Sequence, residues 1–134
     1  MASPSKAKGN RFEREIVNTV LSSGFKTCKR AWGSNGASLG MHEEVDVLMG
    51  DDFKIQAKCR KKLASFLVPT EHVNAVVCKQ DRGETLIIMR FDDWLEERFD
   101  TVNKEADAAM KRFTTKLKKE LKNAKSKQSK RQSV

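Results

Sequence analysis

A chain of 134 residues, 38% hydrophobic and 34% charged, is long enough to bury a core in one domain without disulfides. No apolar run approaches the ~18 residues that a membrane-spanning helix needs, which excludes that class. The net charge of +9 excludes an acidic protein and points toward polyanions, while leaving a membrane surface, RNA and DNA equally open.

The charge is unevenly placed. Residues 1–105 hold 17 Lys/Arg against 16 Asp/Glu, and residues 106–134 hold 10 against 2. Within the body, residues 1–62 carry 12 basic to 7 acidic residues, and residues 63–105 carry 5 to 9. A basic face and a basic tail follow. The stretch Met1–Gly9 is polar and basic with no apolar centre, unlike a secretory signal. Cys28, Cys59 and Cys78 are odd in number, widely spaced and set in apolar stretches, which reads as buried, reduced thiols in a cytoplasmic or intracellular protein.

The first predicted element is a helix over residues 10–23. Phe12, Ile16, Val17, Val20 and Leu21 share a face, Asn10 suits an N-cap with Glu13 three residues on, and Gly24 suits the end. Residues 25–31 read as a strand. Residues 32–41, with Gly33, Gly36 and Gly40, read as a loop. Residues 44–49 form a second strand, Gly50-Asp51-Asp52 a turn, and residues 53–59 a third. In that third strand Lys54, Gln56 and Lys58 share one face and Phe53, Ile55, Ala57 and Cys59 the other. Residues 63–68 are apolar and ambiguous, ended by Pro69. Residues 75–79 and 86–91 are strands around an Asp81-Arg82-Gly83-Glu84 hairpin turn. Asp92 or Asp93 caps a last helix through Trp94, Leu95 and Phe99. Ala106, Met110, Phe113, Leu117 and Leu121 then mark an amphipathic seam that packs on the domain or on a second copy, before ten disordered basic residues. The order implies an α/β fold: a mixed central sheet of about five strands flanked by helices, residues 1–105, plus a C-terminal helical basic extension, residues 106–134.

The chemistry gathers on the second and third strands. A short turn makes them antiparallel neighbours, so Asp46, Gln56 and Lys58 converge on one patch. Hard oxygen ligands suit Mg²⁺, with Mn²⁺ as a substitute, and a nearby lysine suits the charge that develops when a phosphodiester is hydrolysed. Taken alone, the alternation also fits an exposed edge-strand face.

Asp46, nine residues, then Gln56-Ala57-Lys58 resembles the PD-(D/E)xK nuclease signature. With Lys8-Gly9-Asn10-Arg11-Phe12-Glu13-Arg14 ahead of it, and Arg30 and Gly33-Ser34 between, residues 8–60 resemble the archaeal-type, Hjc-like Holliday junction resolvases and their viral relatives. The resemblance implies a restriction-endonuclease-like core. It makes Glu13, Asp46 and Gln56, with the Ala57 carbonyl, metal ligands, and Lys58 the catalytic lysine. It makes Lys8, Arg14, Arg30, Ser34 and the basic run Arg60-Lys61-Lys62 DNA contacts. It also implies a homodimer on branched or double-stranded DNA, with no small-molecule cofactor, and leaves open a virus-encoded protein acting in the host cell.

Gln56 departs from the family's carboxylate, although a Gln-x-Lys form occurs in Mrr-like restriction enzymes. Loss of one negative charge weakens metal binding, and Glu44 is a candidate replacement. Three functions compete: a structure-selective resolvase, a restriction- or repair-type nuclease of the same fold, and a non-catalytic DNA-binding accessory protein. Trp32 suits base stacking or a capped core rim. His42 and His72 lack ligand spacing and read as surface or structural residues.

Overall fold

The computed structural model describes residues 3–31 and 36–132. The chain divides into two compact units, Met1–Phe99 and Asp100–Val134.

Helix α1 spans Pro4–Ser22. It starts earlier than its apolar periodicity, because Ser3-Pro4 is itself a start signal. The Ser3 hydroxyl accepts from the Lys6 N–H at 3.3 Å, and Pro4 occupies a position where the missing N–H costs nothing. Asn10, expected as the cap, therefore lies inside the helix. The end is as expected: Ser23 caps and Gly24 follows at φ 99°. Two constraints make that glycine necessary. The backbone is left-handed, and a Cβ there would meet the Phe99 ring.

Strands β1 (Cys28–Arg30), β2 (Val47–Met49) and β3 (Phe53–Ile55) form an antiparallel sheet in that order. Cys28 pairs with Met49, Arg30 with Val47, and Val47 with Ile55. Val47 and Met49 face inward onto α1, joining Ile16, Val20, Cys28 and Leu95 in the buried core. Phe12, Phe25, Phe53, Ile55 and Trp94 pack around them. Fully burying one such side chain contributes about 1.5–3 kcal/mol, so this small cluster holds the sheet to the helix.

Strands β4 (Ala75–Lys79) and β5 (Thr85–Met89) pair only with each other, antiparallel, around the expected turn. The mixed sheet of about five strands is thus corrected to two antiparallel sheets of three and two strands among the described residues. The physical reason lies at residue 56. Strand β3 stops after three residues, and its continuation offers no ladder for β4 to join. The ambiguous 63–68 stretch contains a short 3₁₀ turn at Ser65–Leu67. Arg90 ties the following loop to the end of β5, donating to the carbonyls of Pro69, Thr70 and Val73.

Helix α2 runs from Phe91 to Gln132, with Asp92 and Asp93 in its first turn. Its start anchors the first unit. Leu95 is buried, Trp94 lies 5.2 Å from Phe53 ring to ring, and the Arg98 guanidinium sits 4.5 Å above Phe53. Residues expected to be disordered at the C-terminus are helical as far as Gln132. Their straight-chain lysines and glutamines favour helix as well as solvent. Cys28 alone is buried; Cys59 and Cys78 are half-buried, and all three are free.

Candidate active site

Two clusters meet where β1 and β2 pair. The first is built on α1. Asn10 and Glu13 are three residues apart and share a helical face. Glu13 is buried at 4% exposure, an environment that demands a partner for its charge. Arg30, at the end of β1, supplies it. Its Nε and Nη2 donate to Glu13 Oε2 at 3.1 and 2.9 Å, and Nη2 also donates to Asn10 Oδ1 at 3.2 Å. A charge-assisted fork of this kind fixes the helix against the strand.

The second cluster forms at the sheet's open end. Asp46 precedes β2. Its N–H donates to the Ile55 carbonyl at 2.9 Å, although Ile55 is already the register partner of Val47. Two residues thus oppose one, a bulge that re-aims the extra side chain. The Asp46 side chain turns across the end of β3, where Oδ2 accepts from the Ala57 N–H at 2.7 Å. The two clusters are joined through the backbone: Ala31, next to Arg30, donates to the Asp46 carbonyl at 2.8 Å.

The approach to Asp46 is held by a close packing at Gly36. A Cβ at that position would collide with the His42 carbonyl, so only glycine lets the 36–45 loop fold on itself. The His42 carbonyl then accepts from Val45 and delivers the chain to the bulge.

The sequence-predicted residues fall into three groups. Asp46 is hydrogen-bonded to the Ala57 N–H, whose chain neighbours are Gln56 and Lys58, and those two lie beyond β3 rather than on the strand face expected for them. Both are exposed. With Phe12, Ile16, Ile55, Met89 and others, residues 56–58 line a cavity of about 610 Å³. Glu13 and Arg30 come together as an ion pair that spacing did not reveal. Lys8 lies on α1, and Arg14 is exposed with its Nε donating to the Asn10 carbonyl at 3.3 Å. Arg60, Lys61 and Lys62 are exposed past the site. Trp32, Gly33 and Ser34 lie outside the described residues.

Glu44 is not on the strand face assigned to it. It sits in the turn ahead of β2, exposed, with its N–H donating to His42 Nδ1 at 3.2 Å. It does line one recess together with His42, Lys54 and Gln56. Among the described residues no group of three or more His, Cys, Asp or Glu is gathered to hold a metal. Sequence reasoning missed Asn10 as an Arg30 acceptor. Its i, i+3 spacing to Glu13 was the available signal.

A match to a family model places the molecule among the PD-(D/E)xK nucleases. The family model for the archaeal Holliday junction resolvases matches residues 4–129, and the chain belongs to that family. The match implies an endonuclease acting on branched DNA. No curated protein and no solved structure matches it.

Proposed function

We propose that this chain is a metal-dependent, structure-selective endonuclease that resolves four-way DNA junctions. The observation that carries the reading is the bulge that holds Asp46 against Ala57 in a chain of the resolvase family. Asp46 uses Oδ2 on the Ala57 N–H, and Oδ1 has no hydrogen-bond partner among the described residues.

The donor set fits a hard cation. Asp46, the Gln56 amide oxygen and the Ala57 carbonyl are oxygen ligands, and Mg²⁺ commonly binds through one or two carboxylates while keeping several waters. Such an ion, when bound, supplies Lewis acidity and a water of lowered pKa; Mn²⁺ substitutes. Asp46 would hold the ion, and its bond to the Ala57 N–H keeps the Gln56-Ala57 step beside it. Lys58 stabilises negative charge developing on the scissile phosphate. Glu13 is the second carboxylate of the proposed site and shares its Oε2 with Arg30. Lys8, Arg14 and Arg60–Lys62 supply cations for the DNA backbone, and the Ser34 hydroxyl is a phosphate contact by the family resemblance alone. Hydrolysis leaves 5′-phosphate and 3′-hydroxyl ends. Resolution needs two symmetric cuts, hence two copies of the chain.

A second reading, a DNA-binding protein without cleavage, is favoured by one feature, the neutral Gln56 in a site with few gathered carboxylates. Incubation with a synthetic four-way junction, a linear duplex and a single strand, with and without Mg²⁺, tests the proposal. Paired nicks confined to the junction are expected. Cutting of linear duplex at equal rate makes the chain a general nuclease of this fold. Binding without cutting in Mg²⁺ leaves the accessory reading standing.

A further inference from the structure

The cavity of about 610 Å³ beside the Gln56-Ala57-Lys58 step draws all its walls from the unit Met1–Phe99. Two stretches of backbone border it without pairing. Strand β3 stops at Ile55, and among the described residues β5 pairs only with β4. Ile88 and Met89 of β5 line one side, with Phe12 of α1 and Phe91 at the start of α2. Each of these four is half-buried, so part of each side chain is open to an incoming group.

The lining divides by chemistry. Of its side chains only Gln56 and Lys58 are polar, and both are exposed, which sets them at the mouth. The volume falls within the ~300–1,000 Å³ of ligand pockets, which share this pattern of apolar walls and a few placed polar groups. Apolar walls that include two aromatic rings suit the flat face of a nucleobase. The Gln56 amide carries both donor and acceptor, as the edge of a base does. The Lys58 ammonium suits a phosphate, and the exposed Arg60-Lys61-Lys62 run follows it in the chain and attracts a polyanion. A nucleotide joins base and phosphate through one sugar. A purely apolar ligand would leave both polar groups without a role, and a free anion would leave the walls without one.

We infer that this cavity receives a single nucleobase unstacked from the DNA, next to the phosphate that Lys58 meets. The inference rests on the proposed function and adds a source for its selectivity. In a linear duplex every base has a pairing partner and a stacking neighbour on each side. At a branch point the strands change partners and the stack is interrupted. Extracting a base costs least where pairing or stacking is already broken. A site that needs a base in the cavity therefore sorts DNA by how readily it yields one, without reading sequence.

The test uses the full chain without metal, so that binding is read apart from cleavage. Four-way junctions carry one 2-aminopurine at each position flanking the branch point in turn, since its fluorescence rises when it leaves the stack. Binding should raise the signal about three-fold or more at one position and leave the same base in a linear duplex unchanged. A mismatch at that position should tighten binding by roughly two- to five-fold, because an unpaired base is easier to extract. Met89→Trp, which fills the cavity, should abolish both effects while junction affinity stays within about ten-fold, held by phosphate contacts. Circular dichroism and thermal unfolding check its fold; where that variant unfolds, the mismatch comparison on the unaltered chain decides alone. No rise at any position overturns the inference and leaves the cavity to an apolar side chain of a protein partner. A rise that persists in Met89→Trp, or a mismatch that binds no tighter, overturns it as well. A chain that cleaves junctions without these signals loses the base pocket and keeps the proposed function. A chain that unstacks a base but never cleaves keeps the pocket and loses the nuclease reading, and one that binds no junction loses both.

Discussion

The two halves of the candidate site differ in how far they are closed. Around Glu13 the carboxylate is buried and held by half-buried partners, with Arg30 donating twice to Oε2 and once to Asn10. Around Asp46 the neighbours Gln56 and Lys58 are exposed, and one backbone bond holds the carboxylate. Closure suits a group that fixes a helix to a strand. Openness suits groups that must meet phosphate and cation from solution. On the proposed function, architecture comes first in the Glu13 half and chemistry first in the Asp46 half, and substitutions can separate them.

The largest effect is expected at Asp46. Asp46→Asn keeps an oxygen for the Ala57 N–H while removing the charge. Cleavage of a four-way junction should fall by more than ~10²-fold while junction binding and thermal stability change little. Full cleavage by this variant would remove Asp46 from the centre of the proposal.

Glu13 should show the reverse balance. Glu13→Ala leaves Arg30 without its carboxylate. Stripping one partner from a fully buried pair costs about 3–5 kcal/mol. Arg30 is 28% exposed, so water takes part of the load, and about 1–3 kcal/mol is the better expectation in urea unfolding. Glu13→Gln retains an acceptor and should recover part of that. A Glu13→Ala chain of unchanged stability but no activity would move Glu13 wholly to the chemical half.

Gln56 sharpens the comparison from the other side. Gln56→Glu adds a charge where side chains are exposed, so folding should be nearly indifferent. Cleavage should require less Mg²⁺, by roughly three- to ten-fold at the half-maximal concentration, since a carboxylate binds a hard cation better than an amide. An unchanged metal requirement would take Gln56 out of the ligand set.

How these halves were visible in the sequence follows the same division. Alternation and a short turn made β2 and β3 antiparallel neighbours, as they are, because local geometry propagates over a few residues. The same alternation ran β3 to Cys59, when it ends at Ile55. Period two describes extended backbone whether or not a neighbouring strand completes the ladder. The Arg30–Glu13 pair spans 17 residues and depends on how α1 lies on β1, which no spacing rule encodes. The central sheet was overestimated for the same reason. Five apolar segments could be counted, but their partners are set by tertiary packing. The start of α1 was missed because its first turns are polar, and the Ser3-Pro4 signal stands well ahead of the apolar face.

The smallest predicted effect lies in the core beneath both halves. Burial pushes the Cys28 thiol up from its ordinary value of 9.0. Below that value the thiol is neutral whether folded or unfolded, and Cys28 contributes nothing to the pH dependence of stability. Above it the unfolded chain loses the proton while the folded chain keeps it, so the unfolded state binds fewer protons and stability falls as pH rises. The decline should open near pH 9 and continue upward, and Cys28→Ser should flatten it after allowance for the residue's packing. At pH 8 a thiol reagent should label the half-buried Cys59 and Cys78 before Cys28, because the reactive thiolate is disfavoured where the core excludes water. Labelling of Cys28 at the rate of the other two would mean that the sheet opens readily beneath α1. The closed character of the Glu13 half would then have to be given up, since Cys28 and Arg30 belong to the same three-residue strand.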